Sequence, residues 1–546
     1  MGFTGDVLRY WNTLRYLKPI QIAGRLRFRF KPHLEDMGQA PVRRVPAGVW
    51  QAPVERPVSL LGERCFLLLG VEYRLPERGG WDDEAVDKLR RYNLHYFDDL
   101  IAPPDRAAAA WHGAWIARWI AENPPRAGTG WESYPTSLRI VNWIKWAVAG
   151  NAVPEGFDHS LALQARWLSR RLEWHLLGNH LFANAKALLL AGLFFTGDEA
   201  DGWRRTALEI LAREFPEQLL PDGGHFELSP MYHAIFTEDV LDLINAAEHW
   251  HGALAIEAVE PWRKALPAML KFLRGMAHPD GEIGFFNDAA IGIAPAYATI
   301  AAYAARLGVS PPPPWGEAAQ SFPDSGYVRV SAGPATALLD LARVGPDYLP
   351  GHAHADTLSF ELSLGDRRLI VNGGTSEYGT GAVRLFERST AAHSTVVVDG
   401  ADSSEVWGGF RVARRAYPVD REITPGAPLE VRCGHDGYRR LPGKPVHHRH
   451  WAFTPAGLTV EDHVSGRHGS AVARFLLAPG TDLVAIAPGS FEIDLDGGRI
   501  ATIRIARGSA AVADGWYSPH FGERLPTRCL EVALDNGSSR VEFEWH

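Results

Sequence analysis

The hydrophobic repeat of this chain changes once, and that change bounds what it can fold into. Up to about residue 310, apolar side chains recur every three or four positions. Trp111, Trp115, Ile116 and Trp119 do so, as do Leu138, Val141 and Ile144 and the runs Leu181–Phe195, Trp203–Phe215, Phe236–Ala247 and Trp262–Met276. This is the period of one helix face. Beyond Pro311-Pro312-Pro313-Pro314 the period becomes two. Leu358–Leu364, a Gly365-Asp366 turn and Arg367–Val371 read as a hairpin, and Thr395–Val398, Leu458–Glu461, Val472–Leu476 and Arg540–Glu544 continue the alternation. The tryptophans mark the same place: of 19, only Trp407, Trp451, Trp516 and Trp545 follow Trp315.

A single switch of this kind predicts a two-domain α+β chain. Around ten helices joined by short Gly, Pro and Asn breakers suggest antiparallel pairs. The lack of a fixed-period repeat favours a closed α/α toroid over a repeat array. The expected layout is a helical and short-strand extension over 1–100, the toroid over 101–315 and an antiparallel β-sandwich over 316–546. Phe66 to Tyr73 is expected to supply the short strand. The opening segment is basic (Arg9, Arg15, Lys18, Arg25, Arg27, Arg29, Lys31), which reads as a solvated helix face, with an anion-attracting rim as the alternative.

Composition narrows the function. With 56 Lys+Arg against 64 Asp+Glu, the net charge of −8 argues against a nucleic-acid coat, though not against an acidic ligand in a local basic cleft. Cys65, Cys433 and Cys529 show no CxxC spacing, so neither a disulfide framework nor a thiolate zinc site is expected. The longest apolar run, Ala185–Phe195, is about half the ~20 residues of a membrane helix. No secretory leader is visible, which predicts a cytoplasmic chain as written, or a periplasmic one if a leader was removed.

Four stretches carry residue types that do chemistry. In Gly351-His352-Ala353-His354-Ala355-Asp356, two histidines two apart face one side of an extended strand, which suits a metal or a base with a helper; His393 follows in Arg388–Thr395. In Gly178-Asn179-His180, two polar residues interrupt an apolar helix; a helix cap explains them as well as a cleft does. Asp222–His233 places His225, Glu227, Tyr232 and His233 beside a Gly-Gly turn, and Tyr232 is a candidate proton donor or a tyrosine packed under a loop. Gly130–Asn142 offers Trp131 and Tyr134 as a sugar-stacking wall and Arg139 as a carboxylate grip, although aromatics in a toroid are more often core.

In this order, and together with Tyr16–Ile22 and Asn93–Phe97, these stretches resemble the heparinase II/III-like polysaccharide lyases. The resemblance covers most of the chain. It implies a toroid joined to a β-sandwich and cleavage of uronic-acid polysaccharides by β-elimination. It further implies that Asn179 and His180 neutralise the uronate carboxylate, that Tyr232 protonates the leaving oxygen (and in syn geometry also takes the C5 proton), and that His352 is the base in anti geometry or a helper to the tyrosine. Trp131, Tyr134, Arg139, Asn142, Glu227, Tyr378 and Arg388 are the expected substrate-binding residues. Family members also hold a structural zinc at positions matching His354, Asn372 and His393. Here Asn372 stands where a carboxylate is usual, and an amide is a poorer ligand for a divalent cation. Asp356 substitutes, a different metal binds, or the position is empty.

The rival enzyme is a glycoside hydrolase on the same toroid, which needs two carboxylates about 5 to 9 Å apart and has Glu132, Glu227 and Asp288 to draw on. The rival from another class is a non-catalytic glycan-binding or polysaccharide-assembly protein.

Overall fold

The structure, a computed structural model, describes residues 3–30, 38–103, 106–313, 318–495 and 498–546. The periodic segments fold as their spacing requires. Eleven α-helices among the described residues run from Phe3–Leu14 to Tyr297–Arg306, and strands dominate from Ala319 onward. The switch therefore falls at the proline run, of which Pro314 lies outside the described residues. The basic opening segment forms two helices, Phe3–Leu14 and Pro19–Phe28, and Leu60–Gly62, Cys65–Leu68 and Val71–Arg74 form a small antiparallel sheet where one strand was expected.

The helix Gly178–Phe194 is apolar around nearly its whole circumference and is buried accordingly, against Ser133–Val148, Asp198–Gln218 and Pro230–His249. The β part holds two large antiparallel sheets. One has nine strands, starting at Ala319–Phe322, with Ser509–Tyr517 at its far edge. The other has eight, with Pro418–Thr424 and Thr481–Ala487 at its edges. In Gly457–Ser465 every second side chain is buried, the alternation of a strand with one face on a core. Phe360, Trp451, Phe475 and Val541 fill the space between the sheets. The predicted hairpin appears as Phe360–Leu364 paired with Arg367–Val371.

The two parts share a core. Val371, Leu476, Tyr517 and Phe521 of the β part belong to the same apolar cluster as Tyr232 and Phe285 of the helical part. The buried Glu361 carboxylate fastens the seam. It accepts from His278 Nε2 at 2.9 Å, from the Phe285 N–H at 3.1 Å and from the Asn372 N–H at 2.8 Å. No helix of the described residues is long and apolar enough to cross a membrane.

Candidate active site

Three segments of the helical part reach the seam through a residue in the left-handed region: Leu177 (φ 64), Leu228 (φ 58) and Asn287 (φ 57). Each adjoins a polar side chain of the site, namely Asn179 two residues on, Glu227 just before and Asp288 just after. Such conformations cost about 1–3 kcal/mol each for non-glycine residues, and surrounding structure must hold them. Gly178 (φ 54) completes the first turn. A Cβ there would meet Leu349 Cδ2 at 2.3 Å and Glu227 Oε1 at 2.7 Å, so only glycine lets the helix start this close to Glu227.

From the β part come His352 and His354, and the structure corrects the expectation for them. Their segment is a loop rather than a strand, and the two rings do not share an open face. They sit at different depths on the two oxygens of one buried carboxylate. His352 Nδ1 lies 2.9 Å from Asp288 Oδ2, and His354 Nε2 lies 2.8 Å from Asp288 Oδ1. Arg384, also fully buried, pairs with both oxygens, its Nη2 at 2.7 Å from Oδ2. Burial alone would raise the Asp288 pKa, but Arg384 and the two histidines hold it well below the usual carboxylate range. An ionised Asp288 can only accept, so His352 Nδ1 carries a hydrogen and Nε2 is the nitrogen turned toward Asn179 and Glu227. Asn179 Nδ2 lies 3.3 Å from His352 Nε2, and Glu227 Oε2 lies 3.5 Å from the same nitrogen.

Tyr232 lies in the first turn of the helix Pro230–His249, whose cap is Ser229 Oγ accepting from the Tyr232 N–H at 3.2 Å. Its ring stacks on His352 with centroids 3.9 Å apart, and its hydroxyl is 3.0 Å from that of Tyr378. Burial, with Tyr378, Tyr134 and Asp288 nearby, pushes the phenol pKa well above its ordinary value. Tyr232 is therefore a protonated donor at neutral pH, not a standing phenolate.

Asn179 is oriented by Glu227, whose Oε1 and Oε2 accept from Nδ2 at 3.1 and 3.2 Å. His180, half-exposed, places Nδ1 3.3 Å from Glu173 Oε2 and packs its ring 4.5 Å from that of Tyr134. Burial opposes its charge, yet Glu173 outweighs burial and raises the imidazole pKa.

Of the fourteen expected site residues, Asn179, His180, Tyr232, His352, Glu227, Tyr378 and Tyr134 lie together at the seam. Four others do not. Trp131 packs against Trp119 with Nε1 donating to the Asn123 carbonyl at 3.2 Å, and it lines a hollow with Arg91, Arg126 and Arg171 rather than joining the seven. Arg139 is fully buried over the Trp119 ring and bound to Gln164 Oε1 at 2.9 Å, so it grips no ligand. Asn142 donates to the Tyr96 carbonyl at 2.9 Å and to Asp98 Oδ1 at 2.7 Å. Arg388 is buried with Nε and Nη2 on the Ala353 carbonyl at 3.0 and 2.8 Å; it fixes the loop between the two histidines rather than meeting substrate. In each case the helical register or loop path turns the polar head inward. Asp288 and Arg384 belong to the same cluster, and the sequence did not single them out as site residues.

The three expected metal positions do not form a zinc cradle. His354 Nδ1 and His393 Nε2 face each other at 3.1 Å, and His393 Nδ1 donates to the Ser389 carbonyl at 2.7 Å. Asn372 does not join them. Its Nδ2 donates to the Phe285 carbonyl at 3.0 Å and Ser359 Oγ at 3.2 Å, and its oxygen accepts from the Ser394 N–H at 3.0 Å. These bonds require an amide, since a carboxylate has nothing to donate to Phe285. Asp356 is engaged by the Asn287 N–H at 2.8 Å. Among the described residues no three His, Cys, Asp or Glu side chains converge as metal ligands. A structural zinc with three side-chain donors does not fit this arrangement.

Residues 107–305 match the family model described as heparinase II/III N-terminus, and residues 315–545 match heparinase II/III-like, C-terminal. A heparin-sulfate lyase of Bacteroides stercoris is 32% identical over 113 residues, covering 20% of this chain and 17% of the relative. Another heparin-sulfate lyase, of Bacteroides thetaiotaomicron, is 28% identical over 253 residues, 40% of this chain and 35% of the relative. The matched stretches thus span well under half the length of these relatives. A crystal structure of heparinase III superposes with a TM-score of 0.72 at 17% identity, covering 96% of this chain and 89% of that one, a likeness of fold.

Proposed function

Because the chain belongs to the heparinase II/III-like family, we propose that it is a polysaccharide lyase that cleaves a uronic-acid-containing glycan by β-elimination. The observation that carries this reading is the stacked Tyr232–His352 pair. A protonated phenol and an imidazole oriented by Asp288 through its inner nitrogen lie ring to ring, beside Asn179 and His180.

Elimination asks for three things: charge relief on the uronate carboxylate, a base for the C5 proton and an acid for the leaving oxygen. His180 suits the first. Glu173 takes Nδ1 and favours the imidazolium, which leaves Nε2 to meet a carboxylate, with the Asn179 amide beside it. His352 Nε2 suits the second. Asp288 fixes the tautomer through Nδ1, and Glu227 lies where it stabilises the proton that Nε2 gains. Tyr232 suits the third, with the Tyr378 hydroxyl within hydrogen-bond reach to replace the proton it gives up. The resemblance implied a structural zinc at His354, Asn372 and His393; the donor set among the described residues does not fit one, and every step above uses organic side chains.

The hydrolase alternative loses its carboxylates. Asp288 is saturated by Arg384, His352 and His354, while Glu132 is held by Lys88 at 3.0 Å and by Tyr92. That leaves Glu227 without a partner across a scissile bond.

The experiment is a panel of uronate polymers and oligosaccharides followed by ultraviolet absorbance, since only elimination creates an unsaturated uronate. Chain shortening without that chromophore would indicate hydrolysis, and no shortening of any polymer would favour a glycan-binding role.

A further inference from the structure

Nine of the chain's large, exposed apolar side chains lie between Val7 and Phe30, a concentration found nowhere else in the described residues. In the helix Phe3–Leu14, Val7, Leu8, Trp11 and Leu14 are between 53% and 63% exposed. At 100° per residue, Leu14, Val7 and Trp11 fall within about 60° of one another, with Leu8 about 60° further round. The opposite side carries Arg9 and Thr13, with Tyr10 at the margin about 40° from Leu14. That side rests on the β part: Tyr10 meets Trp407 edge-on at 5.0 Å, and Thr13 Oγ1 accepts from Trp407 Nε1 at 3.2 Å. The helix is therefore docked by its polar side, with its apolar side turned out, the reverse of an ordinary surface helix. The next helix, Pro19–Phe28, continues the pattern. Gln21 is its buried residue, Gly24 lies against the backbone of Trp174 and His175, and Ile22, Leu26 and the following Phe30 are exposed at 52%, 60% and 78%. Arg15, Arg25, Arg27 and Arg29 stand exposed among these residues, and Asp6 is the one acid in the first thirty.

We propose that this N-terminal face is a docking surface for an anionic phospholipid bilayer. An apolar face containing an exposed tryptophan and flanked by arginines has the composition of a helix lying in a membrane interface: aliphatic groups enter the acyl boundary, the indole sits at headgroup level, and guanidinium groups meet phosphates. The chemistry disfavours the other occupants. A second copy packed face to face would oppose Arg15, Arg25, Arg27 and Arg29 with their own like charges. A soluble polyanion would meet the arginines but leave Val7, Leu8, Leu14 and Leu26 in water. Docking would be peripheral, since neither helix spans a bilayer. The surface is distinct from the cleft and does not depend on the lyase reading, so vesicle binding and elimination succeed or fail separately.

The test is flotation of the full chain with phosphatidylcholine vesicles, with and without phosphatidylglycerol. The protein should float with the anionic vesicles and not with the neutral ones. Binding should fall about tenfold or more near 1 M salt, where the Debye length shrinks to about 3 Å. Trp11→Glu combined with Leu14→Glu should abolish flotation. Arg25→Gln, Arg27→Gln and Arg29→Gln together should weaken it while leaving the melting temperature unchanged. Wild-type protein that stays with neither vesicle, or a Trp11→Glu/Leu14→Glu variant that floats as well as wild type, overturns the proposal. A wild-type dimer in light scattering that the same double variant dissolves, without vesicle binding, assigns the face to self-association instead.

Discussion

Replacing Asp288 by asparagine exchanges one oxygen for a nitrogen and removes the charge on which His352, His354 and Arg384 converge. Two effects should follow, of different origin. Arg384 is fully buried, and removing one partner of a buried ion pair strands the other, a loss of about 3–5 kcal/mol in a urea titration. Separately, an amide accepts or donates, so His352 is free to turn its hydrogen to Nε2 and lose its basic lone pair. In a serine protease the corresponding change costs about 10⁴ in turnover, and a loss of about 10²–10⁴ is expected here. The two effects separate in a double variant. Arg384→Met in the Asp288→Asn background removes the stranded charge and should restore much of the lost stability, because apolar replacement of a buried pair is often near neutral. It should restore little activity, because the tautomer remains unfixed. The assay is initial rate of unsaturated uronate formation, at saturating and limiting substrate, on protein shown to be folded by its denaturation midpoint. The loss should fall on kcat with KM little changed. A double variant that regains both stability and rate would show that Asp288 acts only as Arg384's counter-charge, and would refute the reasoning.

Tyr232→Phe keeps the ring stacked on His352 and should lower turnover by about 10²–10⁴-fold with folding nearly intact; retention of a third of wild-type rate would remove Tyr232 from its role. His180→Ala should show pH-dependent destabilisation. The raised His180 pKa adds stability below its ordinary value of 6.5, lost as pH rises through the raised value, and the lowered Glu173 pKa adds stability above 4.5, lost as pH falls through the lowered one. The variant should therefore lose more stability near pH 6 than near pH 9 in urea titrations, and equal losses at both would contradict the pairing. Asn372→Asp should cost about 1–3 kcal/mol in metal-free buffer by facing a carboxylate to the Phe285 carbonyl, and an unchanged melt would mean that the amide network is dispensable. Residues 1–315 expressed alone should be inactive because His352 and Arg384 are absent; undiminished lyase activity would show that the cleft needs only the helical part.

Much of this molecule was legible because periodicity is a local property. The 3.6-residue and two-residue repeats, and the proline run between them, place helices and strands without knowledge of what they touch. Asn179 stood out because it interrupts an apolar helix, His352 because a second histidine follows two residues on, and Tyr232 because it sits in a polar cluster beside a Gly-Gly turn. Arg384 was not, because it lies 96 residues from Asp288 and nothing in its neighbours distinguishes a buried arginine from a solvated one. Asp288 was visible only as a spare carboxylate, though its place in Asn287-Asp288, just after Gly284-Phe285-Phe286, was a polar pair closing an apolar run. The errors share one cause. Arg139, Asn142 and Arg388 have side chains that grip anions as readily as they cap carbonyls, and only the tertiary fold decides which. The His352/His354 pair was read as one face of a strand because alternation assumes an extended ladder, whereas here a single carboxylate captures both rings from a loop.

Leu177, Leu228 and Asn287 also bear on how this protein can be altered. Each holds a backbone shape that glycine would adopt without steric penalty. For anyone engineering heat tolerance they are inviting positions, and they are the wrong ones. The side chain at each narrows the paths available to the backbone that presents Asn179, Glu227 or Asp288. A glycine there would exchange the accuracy with which those three groups are aimed for relief of local strain. Selection for a hardier fold and selection for a faster catalyst would then pull in opposite directions at the same three residues, so the useful stabilising changes should be sought in the two β-sheets, far from the seam.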